Sequence, residues 1–365
     1  MTMERIILGY TGDLETSIAI PWLAERYQAE VIAVTVDVGQ RAELVAIRER
    51  ALALGARRCH VIDAREEFVR DFIVPTLKAG ALREGSPMPV ALSRPLIVRK
   101  LIDIARMEGA AAIAHGCTAA TEDAMRIDRA ARAIAPFLTI LAPAQAWEMD
   151  RAQQIEYARA HNIPASAAES GVKVEASVWG RSFEASAGAV LSDDFYTLTR
   201  APEHCPNQPA HVQIDLKAGL PVRANGIDMP LLEMIDSLET IAGAHGVGRV
   251  CEDAEQNAGA VRHCHEAPAA VVLYAAHQAV QALTVSNELA PVVEAASRAY
   301  ATIVHEGTWF SPAREALDAL LDAIQPRVTG TVKLELLKGT CRAIEAALIE
   351  RPDGVAAEQH LIEGR

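Results

Sequence analysis

The segment Gly9-Tyr10-Thr11-Gly12-Asp13-Leu14-Glu15-Thr16-Ser17 lies between an apolar run, RIILGY, and a helix-like run, IAIPWLAERY. A strand, a glycine-bearing turn and a helix start bring backbone N–H groups and the positive end of the helix together, which suits an anionic ligand such as a phosphate. Asp13 and Glu15 put two carboxylates where a triphosphate would lie. A surface turn closed by a Thr or Ser helix cap has the same local pattern, so the loop alone decides nothing. A second set, Thr118, Glu122, Asp123 and Arg126, gathers hydroxyl, carboxylate and guanidinium groups where a helix begins, and capping alone would account for Thr118 or Asp123. A third group, His263-Cys264-His265 with Cys251, offers metal-ligand side chains, but two histidines at i and i+2 without a second pair at ligand spacing read better as a satisfied strand. No metal site is expected there.

The elements that must position these residues are legible as alternation. Between Ile6 and about Pro143 the runs RIILGY, EVIAVTVDV, RCHVIDA, AAAIAHG and LTILAP read as strands. Helical segments near Thr16 to Arg26, Arg41 to Leu54, Leu92 to Met107 and Glu122 to Ala133 separate them. That grammar predicts an α/β fold, a doubly wound parallel sheet. Ligands then bind beyond the carboxyl ends of the strands, where the Tyr10 to Ser17 loop, Asp37-Val38-Gly39-Gln40 and His115-Gly116-Cys117-Thr118 would converge. After Trp147 the pattern changes to an α+β second domain, with strands expected near Tyr196 to Thr199, Val212 to Lys217, Pro221 to Ala224 and TGTVKLELLKG, and three long helices between Pro230 and His305. The expected division is 1–170 and 171–361, with 362–365, which match a protease-cleavage linker, set aside as a cloning remnant.

The 365 residues carry a formal charge of −13 spread along the chain, which argues against a nucleic-acid partner and for a small-molecule substrate. No run is long and apolar enough for a membrane span, and no signal peptide is visible, so a cytoplasmic location is expected. The six cysteines are scattered without framework spacing, so reduced thiols and no disulfide are expected.

GYTGDLETS resembles the Ser-Gly-Gly-x-Asp-(Ser/Thr) loop of N-type ATP pyrophosphatases, and in particular the AYSGGLDTS of argininosuccinate synthases. VIAVTVDVGQ, ALSRPLIVRKLIDIARMEGA, AHGCT, VWGRSFEA, IAGAHGVGR, EAPAAV, GTWFSPAREALDA and RVTGTVKLELLKG are similar to that family's motifs and come in the same order. The resemblance implies an adenine nucleotide alpha hydrolase-like ATP domain, a synthetase domain and a homo-oligomer, dimer or tetramer. It implies a reaction in which ATP adenylates the ureido oxygen of citrulline, pyrophosphate leaves and the amine of aspartate displaces AMP. ATP would contact Tyr10, Thr11, Gly12, Asp13, Glu15, Thr16, Ser17 and Gly116, and an amino-acid-like substrate would contact Thr118, Glu122, Asp123, Arg126, Lys173, Ser182 and His265. Mg²⁺ is the ion that a carboxylate such as Asp13 and the phosphates would share.

Several of these positions depart from the family pattern. Thr11 stands for a Ser, Asp13 for the second Gly and Glu15 for the Asp of the loop. In the stretch matching TGKGNDQVR, Thr118, Asp123 and Arg126 are kept, but the Lys is Ala120 and the Asn is Glu122. The Tyr and hydroxyl residue near YPLSTALARP align with Ser86 and Ala91, the first Ser of YSIDENLWGRS with Lys173, the Glu of GRIDxVEN with Ala254 or Glu255, and the Tyr of VYEAPA with His265. Two readings stay open. One is a divergent ATP-dependent carbon–nitrogen ligase with an acceptor other than citrulline, because Glu122, Lys173 and His265 install new polar groups. The other is an inactive paralogue acting as a binding or regulatory protein, because Asp13 adds negative charge and Ala120 and Ala124 remove donors at the phosphate end. No catalytic residue is singled out.

Overall fold

The computed structural model describes residues 4–118, 121–164, 173–186, 192–256, 259–348 and 359–361, with the backbone alone at 173, 184–186, 252–256, 259–261 and 359–361. The chain forms two units. The first comprises Met1–Arg65, Ser93–Lys173 and Glu306–Ser311, and the second comprises Glu66–Leu92, Val174–His305 and Pro312–Arg365.

The first unit is built on five parallel strands, β1 (Arg5–Gly9), β2 (Glu30–Asp37), β3 (Arg58–Asp63), β4 (Ala112–Ala114) and β5 (Thr139–Leu141). Their order is β3-β2-β1-β4-β5. Ile6, Ile7 and Leu8 are all fully buried, and Val31 to Val34 nearly so, because helices cover both faces and leave no alternation of apolar and polar residues. The helix Arg94–Glu108 buries Leu96, Val98, Leu101, Ile102 and Ala105 and lies so close to the end of β1 that a Cβ on Gly9 would stand 3.2 Å from Leu101 Cδ1. Strand order reverses between β1 and β4, so the loops leaving these two strands diverge and open a crevice at their carboxyl ends. The phosphate-type loop follows β1 and His115-Gly116 follows β4.

The second unit has a four-stranded sheet and a six-stranded sheet. Its strands are β6 (Lys173–Ser177), β7 (Gly180–Ser186), β8 (Ala210–Lys217), β9 (Leu220–Ala224), β10 (Ile227–Asp228), β11 (Arg249–Gln256), β12 (Gly259–Glu266), β13 (Gly330–Leu337), β14 (Thr340–Leu348) and β15 (Gln359–Leu361). The orders are β11-β12-β7-β6 and β10-β9-β8-β13-β14-β15. In β13 buried and half-buried residues alternate strictly, as a sheet with one covered face requires. The helix Pro268–Thr284 is apolar over most of its surface, and Val272, Leu273, Ala276 and Val280 are buried against the strands. Among the described residues no helix is long and apolar enough to cross a membrane.

Two sequence expectations are corrected here. Tyr196 to Thr199 is irregular rather than a strand. Its N–H groups at Thr197, Leu198 and Thr199, with the Thr199 hydroxyl, donate to the carboxylate of Glu266, which is fully buried and also ion-paired to Arg181 at 2.9 Å. Backbone donors that wrap a carboxylate are not available to a neighbouring strand. The second correction is a disulfide: Cys251 on β11 is bonded to Cys264 on β12. The 13-residue separation resembles no disulfide framework, but antiparallel register sets the two residues directly opposite, with Cα atoms 4.1 Å apart.

A buried histidine in this unit makes stability depend on pH. His277 is fully buried, and its Nε2–H donates to Gln325 Oε1 (3.0 Å), because the Gln325 amide nitrogen is already donating to the Lys78 carbonyl at 2.7 Å. Burial pushes His277 from 6.5 down to about 4, and Lys78 adds to the fall. The unfolded chain therefore takes up this proton at a higher pH than the folded one. The contribution of His277 to stability is therefore expected to be fully present above pH 6.5 and to be reduced by about 3 kcal/mol as pH falls toward 4. Urea unfolding at a series of pH values checks this. His277→Gln should flatten the slope, and a variant whose slope matches the wild type would assign the effect elsewhere.

Candidate functional site

The loop after β1 is held from below. The Tyr10 N–H donates to the Val34 carbonyl and the Thr35 hydroxyl to the Tyr10 carbonyl, each at 2.9 Å. The Tyr10 hydroxyl and Ser17 Oγ lie 3.2 Å apart and both residues are buried, so these two candidate side chains face each other under the turn. Gly12 has φ +85°, and a Cβ there would stand 3.2 Å from Ile47 Cγ1, so both conformation and space call for glycine. Its carbonyl accepts from Arg50 at 2.8 Å.

Asp13 is the N-cap of the helix Leu14–Tyr27, yet its side chain caps nothing. Oδ2 accepts instead from the Thr11 hydroxyl at 2.9 Å, and Thr11 Oγ1 is in turn 3.0 Å from Thr16 Oγ1. The first-turn N–H groups thus have no cap acceptor, which keeps the positive helix end open to an anion. Glu15 is drawn away into an ion pair with Arg151 at 3.0 Å. Gly116 completes this corner: a Cβ there would stand 2.5 Å from Thr16 Cγ2, so the β4 loop reaches the helix start only as glycine. The structure brings together Thr11, Gly12, Asp13, Thr16 and Gly116, while His115 beside them is buried with Nδ1 accepting from the Cys117 N–H at 3.2 Å.

A second cluster lies on the helix Glu122–Ile134 of the same unit. Arg126 Nη1 donates to Asp123 Oδ1 at 2.9 Å, and Nη2 donates to the Glu122 carboxylate. Arg94 Nη2 donates to the other Asp123 oxygen at 2.6 Å. Asp123 is 6 % exposed and Arg126 8 %. The cap residue of this helix is Thr121, so Asp123 is an anchor between two guanidinium groups rather than a cap. The Thr118 carbonyl accepts from the N–H and hydroxyl of Thr121, at 3.3 and 3.1 Å. Sequence reasoning missed Arg94, whose only local signal is its place before Pro95 at the start of a helix.

In the second unit, β7 and β12 set Ser182 opposite His265, with Ser182 Oγ 2.8 Å from His265 Nδ1. Burial, reinforced by His263, pushes His265 from 6.5 down to about 4, so its ring is neutral near pH 7. Ser86 is buried in a turn and its Oγ accepts from the Met88 N–H at 3.1 Å. The Lys173 side chain, Ala119, Ala120 and the side chains at 254 and 255 lie outside the described residues. Among the described residues no group of three or more His, Cys, Asp or Glu is placed to hold a metal ion.

The family model for the arginosuccinate synthase N-terminal HUP domain matches residues 5–164, and that for the arginosuccinate synthase C-terminal domain matches residues 173–348. The chain belongs to the argininosuccinate synthase family. It is 42 % identical over 354 residues to an argininosuccinate synthase of Oceanobacillus iheyensis, covering 94 % of this chain and 84 % of that protein. It is 40 % identical over 347 residues to that of Dictyoglomus thermophilum, covering 92 % and 86 %, and 42 % identical over 347 residues to that of Rubrobacter xylanophilus, covering 92 % and 84 %. As a member of the argininosuccinate synthase family, the chain is an argininosuccinate synthase-like, ATP-binding ligase of amino-acid metabolism. The five parallel strands are those of its HUP domain, and the crevice at the β1–β4 reversal lies at the carboxyl ends of the strands.

Proposed function

We propose that this argininosuccinate synthase-like ligase adenylates an amino-acid-like acceptor other than citrulline, for attack by an amine such as aspartate with release of AMP and pyrophosphate. The observation that carries this reading is the hydrogen bond between Ser182 Oγ and His265 Nδ1. The family pattern has a tyrosine where His265 stands, and a neutral imidazole hydrogen-bonded to a serine offers a substrate a different shape and one remaining ring nitrogen. Glu122, where the pattern has an amide, adds a carboxylate that is paired with Arg126. The phosphate end supports retained ATP use, since Gly12, Gly116 and the uncapped helix start leave room and donors for an anion.

The loop also fits Mg²⁺. Asp13 is exposed at its mouth, takes a hydrogen bond from Thr11 at Oδ2, and a single carboxylate together with phosphate oxygens is a common way to hold this ion. Asp13 and the phosphates would hold it, and the ion would offset their mutual repulsion. We further propose that the chain works as a homo-oligomer in the cytoplasm. Pyrophosphate release from ATP with citrulline and aspartate tests the acceptor assignment, and little or none is expected. Turnover of about 1 s⁻¹ or more, an ordinary enzymatic rate, would return citrulline to this site. A chain that binds no ATP at all would instead be an inactive family member.

A further inference from the structure

We propose that Cys251–Cys264 is a reversible thiol–disulfide switch that sets how firmly the β11–β12 hairpin, and with it the Ser182–His265 pair, is held. Cys264 lies between His263 and His265 on β12, and its register partner on the other side is Phe183, next to Ser182 on β7. The bond therefore joins the strand that carries His265 to its outer neighbour, one residue from the imidazole. Its outer partner is an edge strand among the described residues: in the order β11-β12-β7-β6, β11 pairs there with β12 alone. Backbone hydrogen bonds on one side hold it in the sheet, Arg249 at its start is paired with Asp193 and donates to Thr199, and the disulfide adds a covalent tie.

The two cysteines differ in exposure. Cys251 is exposed whereas Cys264 is 1 % exposed. Cys59, Cys117, Cys205 and Cys341 are free thiols, so the bond stands alone among reduced cysteines instead of belonging to a disulfide scaffold. Single exposed disulfides of this kind are the ones that exchange, whereas structural sets stay closed. The Tyr196 hydroxyl lies 3.4 Å from Cys251 Sγ, and the Tyr196 ring carries the Arg249 guanidinium 3.9 Å above it and meets Phe183 edge-on at 5.6 Å. The bonded sulfur is thus tied to the loop that wraps Glu266 as well as to β12.

A small dithiol can operate the switch. One of its thiolates attacks the sulfur of Cys251, the more exposed residue of the pair, the Cys251–Cys264 bond breaks, and Cys264 leaves as a thiolate that takes a proton. The second thiol of the reagent attacks the mixed disulfide, freeing Cys251 as a thiol and closing the reagent into a cyclic disulfide. Two electrons pass from the reagent to the protein. Reoxidation by an added disulfide reverses the sequence.

The inference concerns the pair assigned above to the acceptor and rests on that assignment only for its catalytic consequence, so its test needs no substrate. The full-length protein is alkylated before and after dithiothreitol treatment and weighed intact, and backbone hydrogen exchange is followed in both states. Reduction should expose two further thiols, mapped to Cys251 and Cys264, and speed exchange over residues 249–266 about tenfold. Oxidised glutathione should restore protection. Cys264→Ser should exchange quickly with or without reductant, and the wild type alone suffices if that variant fails to fold. Air-equilibrated protein with all six cysteines alkylatable would overturn the proposal, as would a bond whose reduction leaves exchange over 249–266 unchanged.

Discussion

Asp123→Ala is expected to lower folding stability by about 3–5 kcal/mol, the range for removing one partner from a buried ion pair. Asp123 takes hydrogen bonds from Arg126 at 2.9 Å and Arg94 at 2.6 Å and is 6 % exposed. Removing its carboxylate leaves two largely enclosed guanidinium groups with less anionic compensation, and Glu122 pairs with Arg126. Asp123→Asn keeps the shape and one acceptor oxygen, so it should recover part of the loss. Denaturant unfolding of both variants measures this. A melting curve unchanged by Asp123→Ala, together with lost substrate binding, would mean that the carboxylate is held for a ligand instead. Arg126 is expected to behave in the same way as Asp123, because the cluster engages it in folding as well as in any contact with substrate.

Asp13→Gly should weaken ATP binding when Mg²⁺ is present and strengthen it when Mg²⁺ is absent. A carboxylate about 4 Å from a phosphate charge repels it by about 1 kcal/mol in water-like surroundings and about 4 kcal/mol at an effective dielectric near 20. A shared Mg²⁺ turns that repulsion into joint coordination. Asp13 makes its side-chain hydrogen bond with Thr11 at the surface and caps no N–H group of its helix, so the substitution alters charge at the loop mouth with little effect on the helix start. Calorimetric titration of ATP into both proteins, each with and without Mg²⁺, gives four affinities. Wild-type protein that ignores ATP under both conditions, with binding recovered in Asp13→Gly, would establish the inactive-paralogue reading.

Much of the geometry of the turn after β1 was legible in the chain because its signals are local. A strand, a glycine turn and a helix start lie within a dozen residues, and Gly12 must be glycine for the φ of +85° it adopts. The roles of the side chains within that corner were less legible. Thr16 and Ser17 are adjacent in sequence, but Thr16 turns toward Thr11 and Gly116 while Ser17 turns under the loop to Tyr10. Glu15 reads as a ligand-facing carboxylate until Arg151, 136 residues away, is seen to hold it.

The sequence by itself determined the α/β alternation of the first half, the α+β character of the second and membership of the argininosuccinate synthase family. These depend on runs of apolar residues, turn residues and motifs that are each contiguous. Only the tertiary structure decided that Asp123 anchors Arg94, that Glu266 gathers the donors of Thr197 to Thr199 and so abolishes an expected strand, and that Cys251 meets Cys264. Each of these joins groups 13 to 69 residues apart in the chain, through strand register or a buried charge. A buried carboxylate recruits whichever donors the fold brings within reach, and antiparallel pairing chooses which residues face each other, so neither outcome follows from local composition or spacing.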